Sequence, residues 1–149
     1  MHFEGTFDIK SSRQKVWEFL SVPNNLAKCL PDLQKFEVIA PDRFKATVKA
    51  GVGFIKGTFN LEISMHDMQP PTHAKLVVRG SGTGSSVDIE ATMDLSDLPD
   101  GSTRMTWKAD TKVGGLLASV GHRLLEGAAQ KIVSNLFACL LYTSDAADE

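Results

Sequence analysis

Cysteine is scarce in this chain. The two present, Cys29 and Cys139, lie far apart and form no CxxC spacing, which excludes a disulfide framework and a zinc cage, so they are read as free thiols in a reducing compartment. Long apolar runs are missing too. No stretch approaches the ~20 apolar residues that cross a bilayer, and Met1-His2-Phe3-Glu4 is not the basic-then-apolar start of a signal peptide. A cytoplasmic location is expected. There is no excess of base: 16 Lys and Arg face 18 Asp and Glu, a net charge of -2, so nothing holds a phosphate backbone and nucleic acid is not an expected partner. Histidine is sparse. His2, His66, His73 and His122 show no Cys or carboxylate at ligand spacing, so no metal or other cofactor is expected, and they read as solvated side chains.

What is there is the composition of a folded domain, 42% hydrophobic and 23% charged over 149 residues, enough for one apolar core with room for a cavity. The domain is expected over residues 1–138. The run Cys139-Leu140-Leu141-Tyr142-Thr143-Ser144-Asp145 and the four residues after it are similar to the translation of a transposon-end sequencing adapter, and 139–149 is read as foreign to the native protein.

Phe3, Gly5, Phe7 and Ile9 alternate with polar residues, predicting a half-buried strand from Phe3 to Lys10. Ser11 or Ser12 can cap a following helix whose apolar face is Val16, Trp17 and Leu20. Pro23 ends or redirects it, and a second short helix over Asn25 to Leu30 stops at Pro31. From Lys35 to Lys112 six strands follow, punctuated by Pro41-Asp42, Gly51, Pro70-Pro71 and Pro99-Asp100-Gly101. Their alternation with short turns predicts an antiparallel sheet solvated on one side. After Gly114-Gly115 the period changes to about 3.6, with Leu116, Leu117, Val120, Leu124, Ala128, Ile132 and Leu136 as one stripe. A sheet with one apolar face needs a cover, and this long helix is the only element of sufficient length. The expected architecture is α+β: a curved seven-stranded antiparallel sheet wrapped around a long C-terminal helix, with two short helices after strand 1.

That order, with Lys15-Val16-Trp17-Glu18-Phe19-Leu20, Leu30-Pro31, Gly51-Val52-Gly53 with Ile55 and Gly57, Gly80 to Gly84, and Val113-Gly114-Gly115-Leu116-Leu117-Ala118 with Gly121, resembles the carbon monoxide dehydrogenase G-subunit family of the START-like, helix-grip superfamily. The family usually places Gly after Leu-Pro, where this chain has Asp32. The resemblance implies a helix-grip fold with a hydrophobic cavity for a lipophilic small molecule such as a quinone or lipid. It also implies service to a molybdenum-containing carbon monoxide dehydrogenase or related hydroxylase, with peripheral membrane contact in members that carry a longer C-terminal extension. The superfamily includes cyclases and hydrolases, so membership alone leaves catalysis open.

The expected ligand-facing residues are Phe44 and Val48; Phe59, Leu61 and Ile63; Leu76 and Val78; Ile89, Ala91 and Met93; Met105 and Trp107; and Leu117, Val120 and Leu124. These faces lack Asp, Glu, His and Lys. General acid–base catalysis needs a titratable group aimed at the substrate, so no catalytic residue is expected and a carrier is favoured over an enzyme. The alternatives are a polyketide cyclase or hydrolase and a protein-interaction module with a filled core. Gly80-Ser81-Gly82-Thr83-Gly84 opens a strand and not a helix, so it reads as a turn and not a phosphate cradle. His122, beside Gly121 on the long helix, is the one histidine placed to meet a polar ligand head.

Overall fold

The alternating segments assemble into one seven-stranded antiparallel sheet, seen in a computed structural model that describes residues 1–30, 32–52 and 54–147, with side chains except those of 137 and 140–147. β1 (His2–Ile9) is followed by α1 (Arg13–Leu20) and α2 (Pro23–Lys28), then β2 (Leu33–Ala40), β3 (Arg43–Val52), β4 (Ile55–Gln69), β5 (His73–Gly82), β6 (Ser85–Asp97) and β7 (Thr103–Gly115). A 3-10 turn (Leu116–Ser119) leads into α3 (His122–Ala147). The strand order is β1-β7-β6-β5-β4-β3-β2, so five successive hairpins make a meander and β1 closes on its last strand. The expected fold class, an α+β helix-grip sheet with a long C-terminal helix, is the one observed.

Register places the expected apolar positions on one face. Phe44, Ile63, Val78 and Ile89 are successive cross-strand partners, as are Met65, Leu76, Ala91 and Ala109. Period two then puts every alternate residue of these strands on the same concave side.

Local chemistry explains the helix boundaries. Ser12 is the N-cap of α1 and its hydroxyl accepts from Lys15 N at 3.3 Å. Pro23 does not end a helix; it starts one, sitting at the first position of α2 where its missing N–H costs nothing. The expected stop at Pro31 lies outside the described residues. Asp32 has a φ of 49°, the left-handed region that glycine adopts without strain, and its carbonyl accepts from Lys49 N and Gln34 Nε2.

Two expectations are corrected. Cys29 and Cys139 are not free thiols: they form a disulfide that joins the end of α2 to α3 across a separation of 110 residues. Spacing in the sequence could not reveal that these two helix segments meet. The long helix also does not begin directly after Gly114-Gly115. β7 continues to Gly115, and Val120 is extended (φ -79°, ψ 134°), so the helical phase restarts at His122. The face turned to the core is Leu125, Ala129, Val133 and Leu136, while Leu124 and Ile132 are 58% and 57% exposed. α3 continues through residue 138 without a break as far as Ala147; 148–149 lie outside the described residues.

Candidate functional site

The concave face is packed unevenly. At the α1 end, Ile9, Val16, Leu20, Phe44, Ala74, Leu95 and Met105 are buried in one cluster. A second buried cluster, Val48, Ile55, Phe59, Leu117 and Val120, lies where the 3-10 turn meets the β3–β4 hairpin. Between them runs a belt of inward-facing apolar side chains that are only half-buried: Leu61, Leu76, Val78, Val87, Ile89, Ala91 and Val113. α3 packs on α1, β1 and β3, and these middle-strand side chains fall short of the full burial of a close-packed core.

The expected ligand-facing residues divide accordingly. Phe44, Val48, Phe59, Ile63, Met93, Met105, Trp107, Leu117 and Val120 are buried, and Leu61, Leu76, Val78, Ile89 and Ala91 belong to the half-buried belt. Leu124 does not belong: it is on the solvent side of α3. Val87, Val113 and Leu125, partly buried against the second cluster, were not among the expected positions. The first two were legible in the strand alternation; Leu125 was not, because the phase of α3 depends on the break at Val120.

Polar groups on or beside the concave face are few. Thr103, Thr111 and Ser85 are buried; Thr103 Oγ1 donates to Ser11 O at 2.8 Å and Ser85 Oγ to Thr83 O at 3.5 Å. A further recess, of about 420 Å³ between α2 and β2, is lined by Ala27, Leu33 and Phe36 with Asn24 and Lys28 at its edge. A larger open cleft of about 830 Å³ lies across strands β2 to β5, with walls that include the charged side chains Lys35, Glu37, Lys45, Glu62 and Arg79. Charged, solvent-open walls suit it poorly to an apolar molecule, so the concave belt is the stronger candidate site.

The titratable groups with shifted values are exposed, four on the opposite face of β1 and β7 and Asp100 in the turn before β7. His2 is held above its usual value by hydrogen bonding to Asp110 and then Glu4, each 2.9 Å away, and Glu4 is lowered in return. Asp8 is lowered, and Arg104 raised, by their two-pronged pairing at 2.8 and 3.1 Å. Asp100 is lowered by the Ser102 hydroxyl and backbone N–H. Single histidine–carboxylate pairs do form: His73 Nδ1 is 2.7 Å from Asp94, its cross-strand partner, and His122 is 3.3 Å from Glu126. Cross-strand and i,i+4 neighbours bring them together. His122 stacks on Phe3 with ring centroids 5.2 Å apart. Among the described residues no group of three His, Cys, Asp or Glu side chains is set to hold a metal ion, and no helix is long and apolar enough to cross a membrane. Gly80 to Gly84 ends β5 and turns into β6, with φ of 148°, 55° and 67° at Gly82, Thr83 and Gly84.

A sheet gripping a C-terminal helix over an apolar concave face defines a START-like helix-grip protein. The similarities to solved structures agree with that class. A conserved protein from Geobacillus kaustophilus is 31% identical, with 96% of this chain and 94% of that one covered at a TM-score of 0.90. A START superfamily protein from Mycobacterium smegmatis is 12% identical, covering 98% of each chain at a TM-score of 0.76. The Zhui aromatase/cyclase of a Streptomyces species is also 12% identical, with coverage of 100% and 96% at a TM-score of 0.71. The chain belongs to the carbon monoxide dehydrogenase G-subunit (CoxG) family, whose model matches residues 5–143. Among curated proteins none matches.

Proposed function

We propose that the protein is a non-catalytic carrier that holds a lipophilic small molecule, a quinone or a lipid, against the half-buried belt of the concave face. The observation that carries this reading is the belt itself: seven apolar side chains lie on that face without being sealed. An elongated apolar molecule laid there would bury them, at about 25 cal/mol per Å². Membership of the CoxG family supports service to a molybdenum-containing carbon monoxide dehydrogenase or a related hydroxylase, at or near the inner face of the membrane.

A second reading, a cyclase acting on a polyketide-like substrate, draws on the likeness in fold to the aromatase/cyclase. The site gives it little chemistry, since the belt bears no carboxylate, imidazole or amine. Native mass spectrometry of the purified chain tests the carrier reading, together with uptake of an environment-sensitive lipophilic dye in vesicle-free buffer. A co-purifying lipophilic mass, displaced as the dye binds, is the expected result. A clean protein mass with no dye uptake would sink it in favour of a filled core.

A further inference from the structure

β2 ends the sheet on one side with an open edge. Only β3 pairs with it, and among the described residues nothing else donates to or accepts from the backbone of Leu33–Ala40. The opposite edge is guarded: α3 packs on β1, and Gln130 Nε2 donates to Glu4 O at 3.4 Å. A strand edge with unpaired N–H and C=O groups is a template for another strand. On β2, Phe36 and Val38 stand opposite the buried Ala46 and Phe44, on the apolar face, while Lys35 and Glu37 stand opposite Thr47 and Lys45 on the polar one. Val38 and Ile39 are each 45% exposed.

The polar face carries a row of charges that alternates in sign from β7 to β2. Lys112 stands opposite Asp88, Asp88 opposite Arg79, Arg79 opposite Glu62, Glu62 opposite Lys45 and Lys45 opposite Glu37. Opposite charges at facing positions stabilise a ladder, and like charges destabilise it. The row stops at Glu37, at the open edge, with no cation beyond it. Facing residues of an antiparallel ladder share one face of the sheet, so a second copy of β2, related by a two-fold axis, must be centred on a residue. Centred on Phe36, it sets Lys35 of each copy opposite Glu37 of the other and supplies the missing cation to both rows. Centred on Lys35 or on Glu37, it would set like charges face to face. Centred on Gln34 or on Val38, it would leave Lys35 opposite Leu33 or Glu37 opposite Ile39.

We propose that two copies of the chain pair antiparallel through β2, in register about Phe36, and join their sheets into one. Both copies use the same edge, so the pairing closes on a dimer and does not propagate. Register shifts between Leu33 and Lys35 and between Val38 and Ala40 bracket the regular stretch and keep the paired segment short. The interface is therefore smaller than the ~1,000 Å² of a stable one, and the dimer is reversible and forms with rising concentration. The self-complementary placement of Lys35 and Glu37 about Phe36 selects a second copy over an unrelated strand. The pairing requires no cargo, so it stands or falls apart from the carrier reading.

The test is sedimentation velocity of the full chain over a range of protein concentrations. Expected is a monomer–dimer equilibrium that added salt weakens. Lys35→Glu alone, or Glu37→Lys alone, sets two like-charged pairs face to face and should weaken dimerisation by about tenfold or more. Mixing the two variants should restore it, because the facing charges are then opposite again. Both positions are exposed, so thermal melts of the variants should match the parent's, and a variant that had lost its fold would not be rescued by mixing. A parent that stays monomeric up to about 1 mM overturns the proposal, and leaves the edge to an extended segment of another protein. So does a dimer that both single variants leave intact, since the interface would then lie elsewhere, and so do folded variants that fail to associate when mixed.

Discussion

Gly5 faces Trp107 across the β1–β7 ladder, and a Cβ there would stand 2.7 Å from the indole Nε1. Trp107 is buried, so the ring has little room to withdraw. Gly5→Ala should therefore cost about 1–3 kcal/mol, the usual range for overpacking, seen as a melting temperature several degrees lower. A melt equal to the parent's would mean that the indole moves freely. His2 acts through charge. Because its folded value is raised above 6.5, it stabilises the fold fully below that pH and loses this contribution as pH rises through the raised value. Melting temperatures of the parent, compared between mildly acidic and mildly alkaline buffer, should include a fall that His2→Gln lacks. Asp32 was legible differently: the family pattern asks for glycine, and the left-handed φ shows the physical demand behind that pattern.

The strands were the most readable elements, because alternation with a period of two survives small errors in boundary. α3 was less readable, since an apolar stripe fixes a helix face only when the helix starts where it is thought to start. The extended Val120 shifted the phase by one residue, exposing Leu124 and Ile132 and burying Leu125 and Val133 in part. A glycine at Gly121 or Gly127 would be explained by close approach to the sheet or by widening around a ligand. Both are exposed and a Cβ on either meets nothing within 4 Å, so neither reason applies. Gly127→Ala should raise stability by up to about 1 kcal/mol through helix propensity alone, measurable by denaturant unfolding. The reading of 139–149 as foreign makes a prediction that the disulfide sharpens. Under reducing conditions, a chain ending at Ala138 should melt within a few degrees of the full chain. Under oxidising conditions the full chain should be the more stable by about 2–4 kcal/mol, because the bridge closes a long loop in the unfolded state. A large difference with both chains reduced would mean that the last turns of α3 belong to the fold.

For the molecule as a whole, composition and alternation indicated the sheet and its cover, and local motifs pointed to the family. The half-buried belt was not legible, because sequence states which faces are apolar and not how far apart they stand. Two alanines on neighbouring strands, Ala91 and Ala109, are cross-strand partners and make the separation measurable. Ala109 is buried in the cluster that includes Phe3, whereas Ala91 lies in the belt. Ala91→Phe should leave the melting temperature within a few degrees, as expected for under about 1 kcal/mol, while abolishing dye uptake. Ala109→Phe should cost about 1–3 kcal/mol. Equal destabilisation by both would mean that the belt is packed. The pairing of β1 with β7 bears on how the chain comes into being. Strands β2 to β7 can zip hairpin by hairpin as they leave the ribosome, but β1 is made first and finds its partner last, after residues 103–110 have emerged. Through most of synthesis, Phe3, Phe7 and Ile9 have no ladder to join, so birth order makes the first strand the one most in need of shelter.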